Sequence, residues 1–102
     1  MRNLPEARRR LISAYCYSRA GVPASERAKE LASHAVARGF VPPRAPPPGA
    51  TLDAWSRRRG SPPAWACLAA YELATGAGYT PRDDEETAIF RWAAERIEGK
   101  QG

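Results

Sequence analysis

Two runs of three arginines, Arg8-Arg9-Arg10 and Arg57-Arg58-Arg59, are the residues in this chain best equipped to bind something. A guanidinium is a planar fork of five N–H donors, matched to phosphate and carboxylate. Three consecutive residues on a helix span roughly 200°, so neither run can turn wholly inward. Repulsion within each trio is relieved by an anion. For the second trio, a position at a helix C-terminus would also relieve it through the helix dipole. The first trio stands near a helix N-terminus, where cations are mildly unfavourable, so an acidic or nucleic-acid partner is its better explanation.

Other chemistry is thinly supported. One histidine, His34, and two cysteines far apart, Cys16 and Cys67, give no metal-ligand spacing. No serine sits in a nucleophile elbow, and a lone histidine with no nearby acid does not make a triad. Gly76-Ala77-Gly78 has no strand before it, so it is no phosphate cradle. The acidic run Asp83 to Glu86 is explained by a helix start, where anions complement the dipole. A non-enzymatic protein with no cofactor and no metal is expected.

Charge is distributed unevenly. The chain has 102 residues and a net charge of +5. Residues 1–50 hold nine Lys and Arg against three Asp and Glu, whereas residues 51–102 hold seven against eight. Fourteen of the sixteen cations are arginine. There is no apolar run long enough to span a membrane, and Arg8 to Arg10 interrupt the only stretch resembling a signal peptide. The expected location is the cytoplasm, with both thiols reduced.

The elements that must carry these residues read as all-α: about five helices around one buried helix. Alanine is plentiful and β-branched residues are scarce. Asn3 and Glu6 start a helix over about 4–19, with Leu4, Ala7, Leu11, Ala14 and Tyr15 on its inner face. Arg9, Arg10, Ser13 and Tyr17 face away. A second helix opens at Pro23 to Ser25, buries Ala28, Leu31, Ala32, Ala35 and Val36, and ends at Gly39-Phe40. Its Glu26 and Glu30 are placed to pair with Lys29, Arg27 or His34. The short link predicts a basic helical hairpin over 1–40.

Residues 41–50 contain five prolines and read as an extended connector, a stiff spacer in preference to a ligand for a proline-binding module. Thr51 then caps a short helix over 52–59, with Leu52 and Trp55 inward and the second arginine trio in its last turn. Ser61 and Pro62 open the fourth helix, about 62–75, apolar from Ala64 to Tyr71 and closed by Gly76 and Gly78. Such a helix needs neighbours on several sides. It belongs at the centre, under helices one, two and five, with Trp65, Leu68, Tyr71 and Leu73 as its main volume. Thr80-Pro81 start the fifth helix, whose apolar face is Ile89, Phe90, Trp92, Ala93 and Ile97. Residues 99–102 should fray. All 102 residues form one domain.

Thr51-Leu52-Asp53-Ala54-Trp55, then Arg58-Arg59-Gly60, then Pro62-Pro63-Ala64-Trp65 and Leu68, resemble the second half of phage Cro/repressor-type helix-turn-helix regulators. The likeness covers residues 51–78. It implies that Thr51, Asp53, Ala54, Ser56 and Arg57 approach DNA while Leu52 and Trp55 pack inward. The expectation is a DNA-binding or DNA-associated regulator of phage or mobile-element type, holding phosphates with Arg8, Arg9, Arg10, Arg57, Arg58 and Arg59. The alternative is a protein–protein interaction inhibitor or adaptor. It would occlude an acidic or nucleic-acid-binding surface, with Tyr17, Tyr79 and Trp92 as anchors. A homodimer is compatible with either.

Overall fold

A computed structural model describes residues 4–57 and 60–101, without the side chains of residues 5, 100 and 101. It holds five helices: α1 (Leu4–Ser18), α2 (Ala24–Ala37), α3 (Gly49–Ser56), α4 (Ala64–Gly76) and α5 (Asp84–Gln101). Among the described residues there is no strand, and no helix is long and apolar enough to cross a membrane. The expected all-α bundle is what forms.

α4 lies where its composition puts it, packed by α1, α2 and α5. Ala66, Cys67, Leu68, Ala69, Ala70 and Ala74 are buried. The bulky Trp65, Tyr71 and Leu73 are only partly buried against the core. Alanine is the reason: small side chains let the neighbouring helices approach closely, so the volume comes from those neighbours. α1 is as central as α4, because it packs on α3, α4 and α5 at once. Its buried face is correspondingly wider than one stripe and includes Ile12 beside Ala7, Leu11, Ala14 and Tyr15.

The hairpin expected of the first two helices does not form. Among the described residues their backbones are not packed side by side, because α1 spends its inner face on α4 and α5 while α2 packs on α3 and α4. Tyr15 links them instead. Its hydroxyl donates to the Arg27 carbonyl and to Glu30. Glu30 also accepts from Arg19, at 2.8 Å and 3.2 Å. It pairs with neither Arg27 nor His34; only the Glu26–Lys29 pair, at 3.4 Å, follows the expected spacing.

Helix ends were read better at C-termini than at N-termini. At Gly39, φ is +75°. Its N–H bonds the Val36 carbonyl at 3.1 Å and the Phe40 N–H bonds the Ala35 carbonyl at 2.9 Å, the paired bonds of a Schellman motif. The same pair recurs at Gly78 and Tyr79, both at 3.0 Å to Thr75 and Ala74. N-termini differ from expectation. α3 begins at Gly49 with Pro48 before it, where Thr51 was the expected cap, and it stops at Ser56, so Arg57 is extended and not in a last turn. Arg58, Arg59 and the Asn3 cap fall outside the described residues. α4 starts two residues late, after Pro63. α5 starts after Asp83, whose Oδ1 accepts the Glu86 N–H at 2.9 Å. It then runs on to Gln101, through Gly99, where fraying was expected. Proline explains the first two shifts: its fixed φ suits the residue at the edge of a helix, and several adjacent prolines leave the sequence several candidate edges.

Gly49 is where α3 meets the first turn of α2. A methyl there would sit 2.9 Å from the Ser25 backbone nitrogen and 3.0 Å from the Ala24 Cβ. Gly49→Ala therefore overpacks a backbone contact and should cost about 1–3 kcal/mol in chemical denaturation, despite the better helix propensity of alanine.

Candidate functional site

The six arginines singled out in the sequence meet different fates. Arg10 is taken inward. It ion-pairs with Asp83, with Glu85 at 3.6 Å and with Glu86 at 2.9 Å. The correction to the sequence reading is that Arg10 clamps α1 to the start of α5 and does not belong to an anion-binding fringe. Arg9 reaches only Glu6, at 3.7 Å. Arg8 lies over the Trp92 ring, 5.1 Å from its centre. Arg57 is exposed, while Arg58 and Arg59 fall outside the described residues.

Glu86 is the anchor of the clamp. It is 1 % exposed, and every one of its partners is a donor. They are the Arg10 guanidinium, the Tyr79 hydroxyl at 2.8 Å, and the Arg82 backbone N–H and guanidinium at 3.1 Å and 3.2 Å. Burial pushes the carboxyl pKa up, but these hydrogen bonds outweigh it and hold the group at about 2. The same bonds raise the Arg10 guanidinium. The acidic run is thus neutralised by arginines from two directions.

The other internal carboxylates are used in the same way. Glu72 of α4 accepts from Arg38 at 2.8 Å and 3.0 Å, and lies 2.8 Å from His34 Nε2. Burial opposes ionisation of Glu72, yet Arg38 and His34 bring its pKa below the ordinary range. Both thiols are free. Burial raises the Cys67 pKa to about 12, so that sulfur is a core atom and not a nucleophile.

A second set of arginines meets rings instead of carboxylates. Arg96 lies over Trp92, 5.2 Å from its centre and one turn further along α5, so that Trp92 carries two guanidinium groups, those of Arg8 and Arg96. Arg44, from the proline-rich connector, lies over Trp65 at 4.8 Å. Trp65 meets Trp55 edge-on at 5.9 Å. Between Trp65 and Arg96 is an open hollow of about 460 Å³, lined also by Phe40, Ala64 and Leu68. The series Arg8, Trp92, Arg96, hollow, Trp65, Arg44 is therefore continuous across α1, α5, α4 and the connector. Among the described residues no carboxylate pairs with Arg8, Arg44 or Arg96.

The distinction matters chemically. A carboxylate occupies the edge of a guanidinium, where its N–H groups point. An aromatic ring occupies the face and leaves the edge available. Arg8, Arg44 and Arg96 are held in place by rings and keep donors to offer. Among the described residues, the buried Nε atoms of Arg8 and Arg9 have no hydrogen-bond partner.

The remaining expected site residues are dispersed. Thr51 and Ser56 are half-buried. The Ser56 hydroxyl donates to the Asp53 carbonyl at 2.8 Å, and its own carbonyl accepts from Ser13 at 3.2 Å. Only Ala54 and Arg57 of the five residues implied by the regulator likeness are exposed. Trp92 is half-buried under its arginines. Tyr17 is 67 % exposed. It meets Tyr79 edge-on at 6.1 Å, and Arg82 lies over both rings. This patch belongs to the clamp end of α5, away from the hollow. Arg44, Arg96, Phe40 and Trp65 were missed as a group. Only the four-residue spacing of Trp92 and Arg96 was legible in advance.

Compared with known proteins, the chain matches no family model, no curated protein and no solved structure.

The Glu86 clamp makes a pH prediction. Its carboxyl drops from an ordinary 4.5 to about 2 on folding. A depressed acid stabilises the fold fully above pH 4.5, and that contribution is lost as pH falls through 2. The amount at stake is about 3 kcal/mol. Denaturant titrations should show stability falling over that window. Glu86→Gln should already be destabilised at neutral pH by about 3 kcal/mol and should show a flatter pH profile.

Proposed function

We propose that this is a small non-enzymatic DNA-associated protein that holds backbone phosphates on the Arg8–Arg96–Arg44 face. The observation that carries the reading is the sorting of arginines. Those facing α5's first turn are consumed by Glu86 and Asp83, whereas Arg8, Arg44 and Arg96 are seated on indole rings with no carboxylate among the described residues on their edges, Arg44 donating only to the neighbouring Ala45 carbonyl. Arg57 is exposed two residues after Trp55 and extends the same charge, with Arg58 and Arg59 following in sequence. A net charge of +5 strengthens association with a polyanion at long range. Phosphate contacts of this kind give affinity without base sequence. The eight-residue α3, separated from α2 by the proline-rich connector, contributes its neighbour Arg57 and not an open reading face.

A protein-binding inhibitor or adaptor is the second reading, and Tyr17 favours it. It is a large aromatic, 67 % exposed, beside Tyr79 and under Arg82. Arg and Tyr together are typical of binding hot spots.

Fluorescence anisotropy with random-sequence DNA across a salt series separates the two. The phosphate-binding reading expects micromolar affinity at about 50 mM salt, falling steeply as salt rises. Replacing Arg44 and Arg96 together by alanine should reduce the slope of log K against log salt by about 1.5. Stability should fall by no more than two exposed cation–π contacts provide, about 1–2 kcal/mol. No DNA bound at about 50 mM salt removes the first reading.

A further inference from the structure

The face just described is not a plain basic surface, because a hollow lined by both polar and apolar surface interrupts it. Trp65, Phe40 and Leu68 line that hollow, Arg96 stands on its wall, and Arg44 lies over Trp65. Its volume, about 460 Å³, lies inside the range of small-ligand sites, roughly 300–1,000 Å³. The lining holds no carboxylate, and its side-chain donors are the Arg96 guanidinium and the Trp65 indole N–H. It therefore offers aromatic and aliphatic contact mixed with polar surface, and each of its two rings carries a guanidinium over one face, Arg44 on Trp65 and Arg38 on Phe40.

From this we infer that the hollow receives an unpaired nucleobase, so that the preferred ligand is single-stranded nucleic acid and not duplex. The inference rests on the DNA-associated reading above and narrows it. A base is flat, apolar on its faces, and always attached to a phosphate a few ångströms away. The hollow supplies aromatic and aliphatic surface for the first, and Arg44 and Arg96 for the second. In a duplex the bases are stacked on one another and cannot leave without unpairing. A duplex therefore touches only the arginine margin and leaves the floor unused. A single strand uses both, with rings giving contact that every base can satisfy. An acidic peptide could meet the arginines, but it has no group that repeatedly couples a flat ring to an anion.

Four probes test this by anisotropy at one fixed salt concentration. They are a 12-nucleotide oligothymidylate, the same backbone with abasic sites throughout, a 12-base-pair duplex and a 12-nucleotide oligouridylate. The expected result is about tenfold tighter binding of oligothymidylate than of the abasic strand, which carries the same phosphates. The duplex should bind no better than the abasic strand. Phe40→Leu keeps an apolar side chain at the helix end. It should weaken oligothymidylate binding several-fold and leave the abasic strand unchanged. Binding of oligouridylate as tight as or tighter than oligothymidylate supports the same hollow with RNA as the source of the base.

Equal affinity for the abasic strand and oligothymidylate overturns the inference while leaving the phosphate-binding reading intact. Displacement by polyglutamate of equal charge as readily as by oligothymidylate also overturns it. Failure of every probe to bind overturns both.

Discussion

One carboxylate is held out of water between α1 and α5, and the arrangement of charge elsewhere follows from it. Among the described residues, every hydrogen bond to the Glu86 carboxylate comes from Arg10, Tyr79 or Arg82. Removing a carboxylate from water is costly, so the group tolerates burial only while those donors stay. Their positions then fix the helices. Arg10 belongs to α1, Arg82 to the segment entering α5, and Tyr79 to the turn leaving α4. A single anion thus ties distant α1 to the turn between α4 and α5 and to α5 itself. Arg8 comes to rest over Trp92 further along α5, consistent with α1 and α5 running in opposite directions.

This clamp also divides the arginines by role. Carboxylates are fewer than guanidinium groups, and the buried Glu86 and half-buried Glu72 are claimed early, by Arg10 and Arg82 and by Arg38 and His34, as is the exposed Glu30 by Arg19. Of the arginines left over, Arg8 and Arg96 settle on Trp92 and Arg44 on Trp65. Ring contacts hold a guanidinium in place while sparing most of its hydrogen-bonding edge, which is what the proposed phosphate contacts require. The two sets lie at different ends of α5. The acidic first turn is closed off by the clamp, and the basic set stands where Trp92, Arg96 and the hollow adjoin α4.

Local rules in the sequence were read correctly where they act over a few residues. Gly39-Phe40 signals a Schellman end because only glycine takes the positive φ cheaply, and the structure has that motif. The apolar stretch from Ala64 to Tyr71 demands burial; Ala66 to Ala70 are buried, and Ala64, Trp65 and Tyr71 at its ends are half-buried. Proline-flanked N-termini were displaced by two or three residues, since consecutive prolines offer rival edges of similar energy. What sequence could not give was pairing across long separations. Arg10 and Glu86 are 76 positions apart, and nothing local to either marks the other. Arg10 therefore read as an exposed cation. Arg44 read as part of a spacer for the same reason, because its tryptophan lies in another element. The candidate site was visible as a surplus of arginine and tryptophan, and invisible as a place.

The central claim is that anions gather at the tryptophan-seated arginines and not at the clamp. Amide and indole N–H resonances of ¹⁵N-labelled protein, followed as a single-stranded oligonucleotide is added, test it directly. The account predicts shifts in the Trp65 and Trp92 indole signals and in the amides of Phe40, Arg44 and Arg96, with Tyr17, Tyr79 and Arg82 unmoved. Shifts concentrated at Tyr17, Tyr79 and Arg82, with both indoles silent, would contradict it.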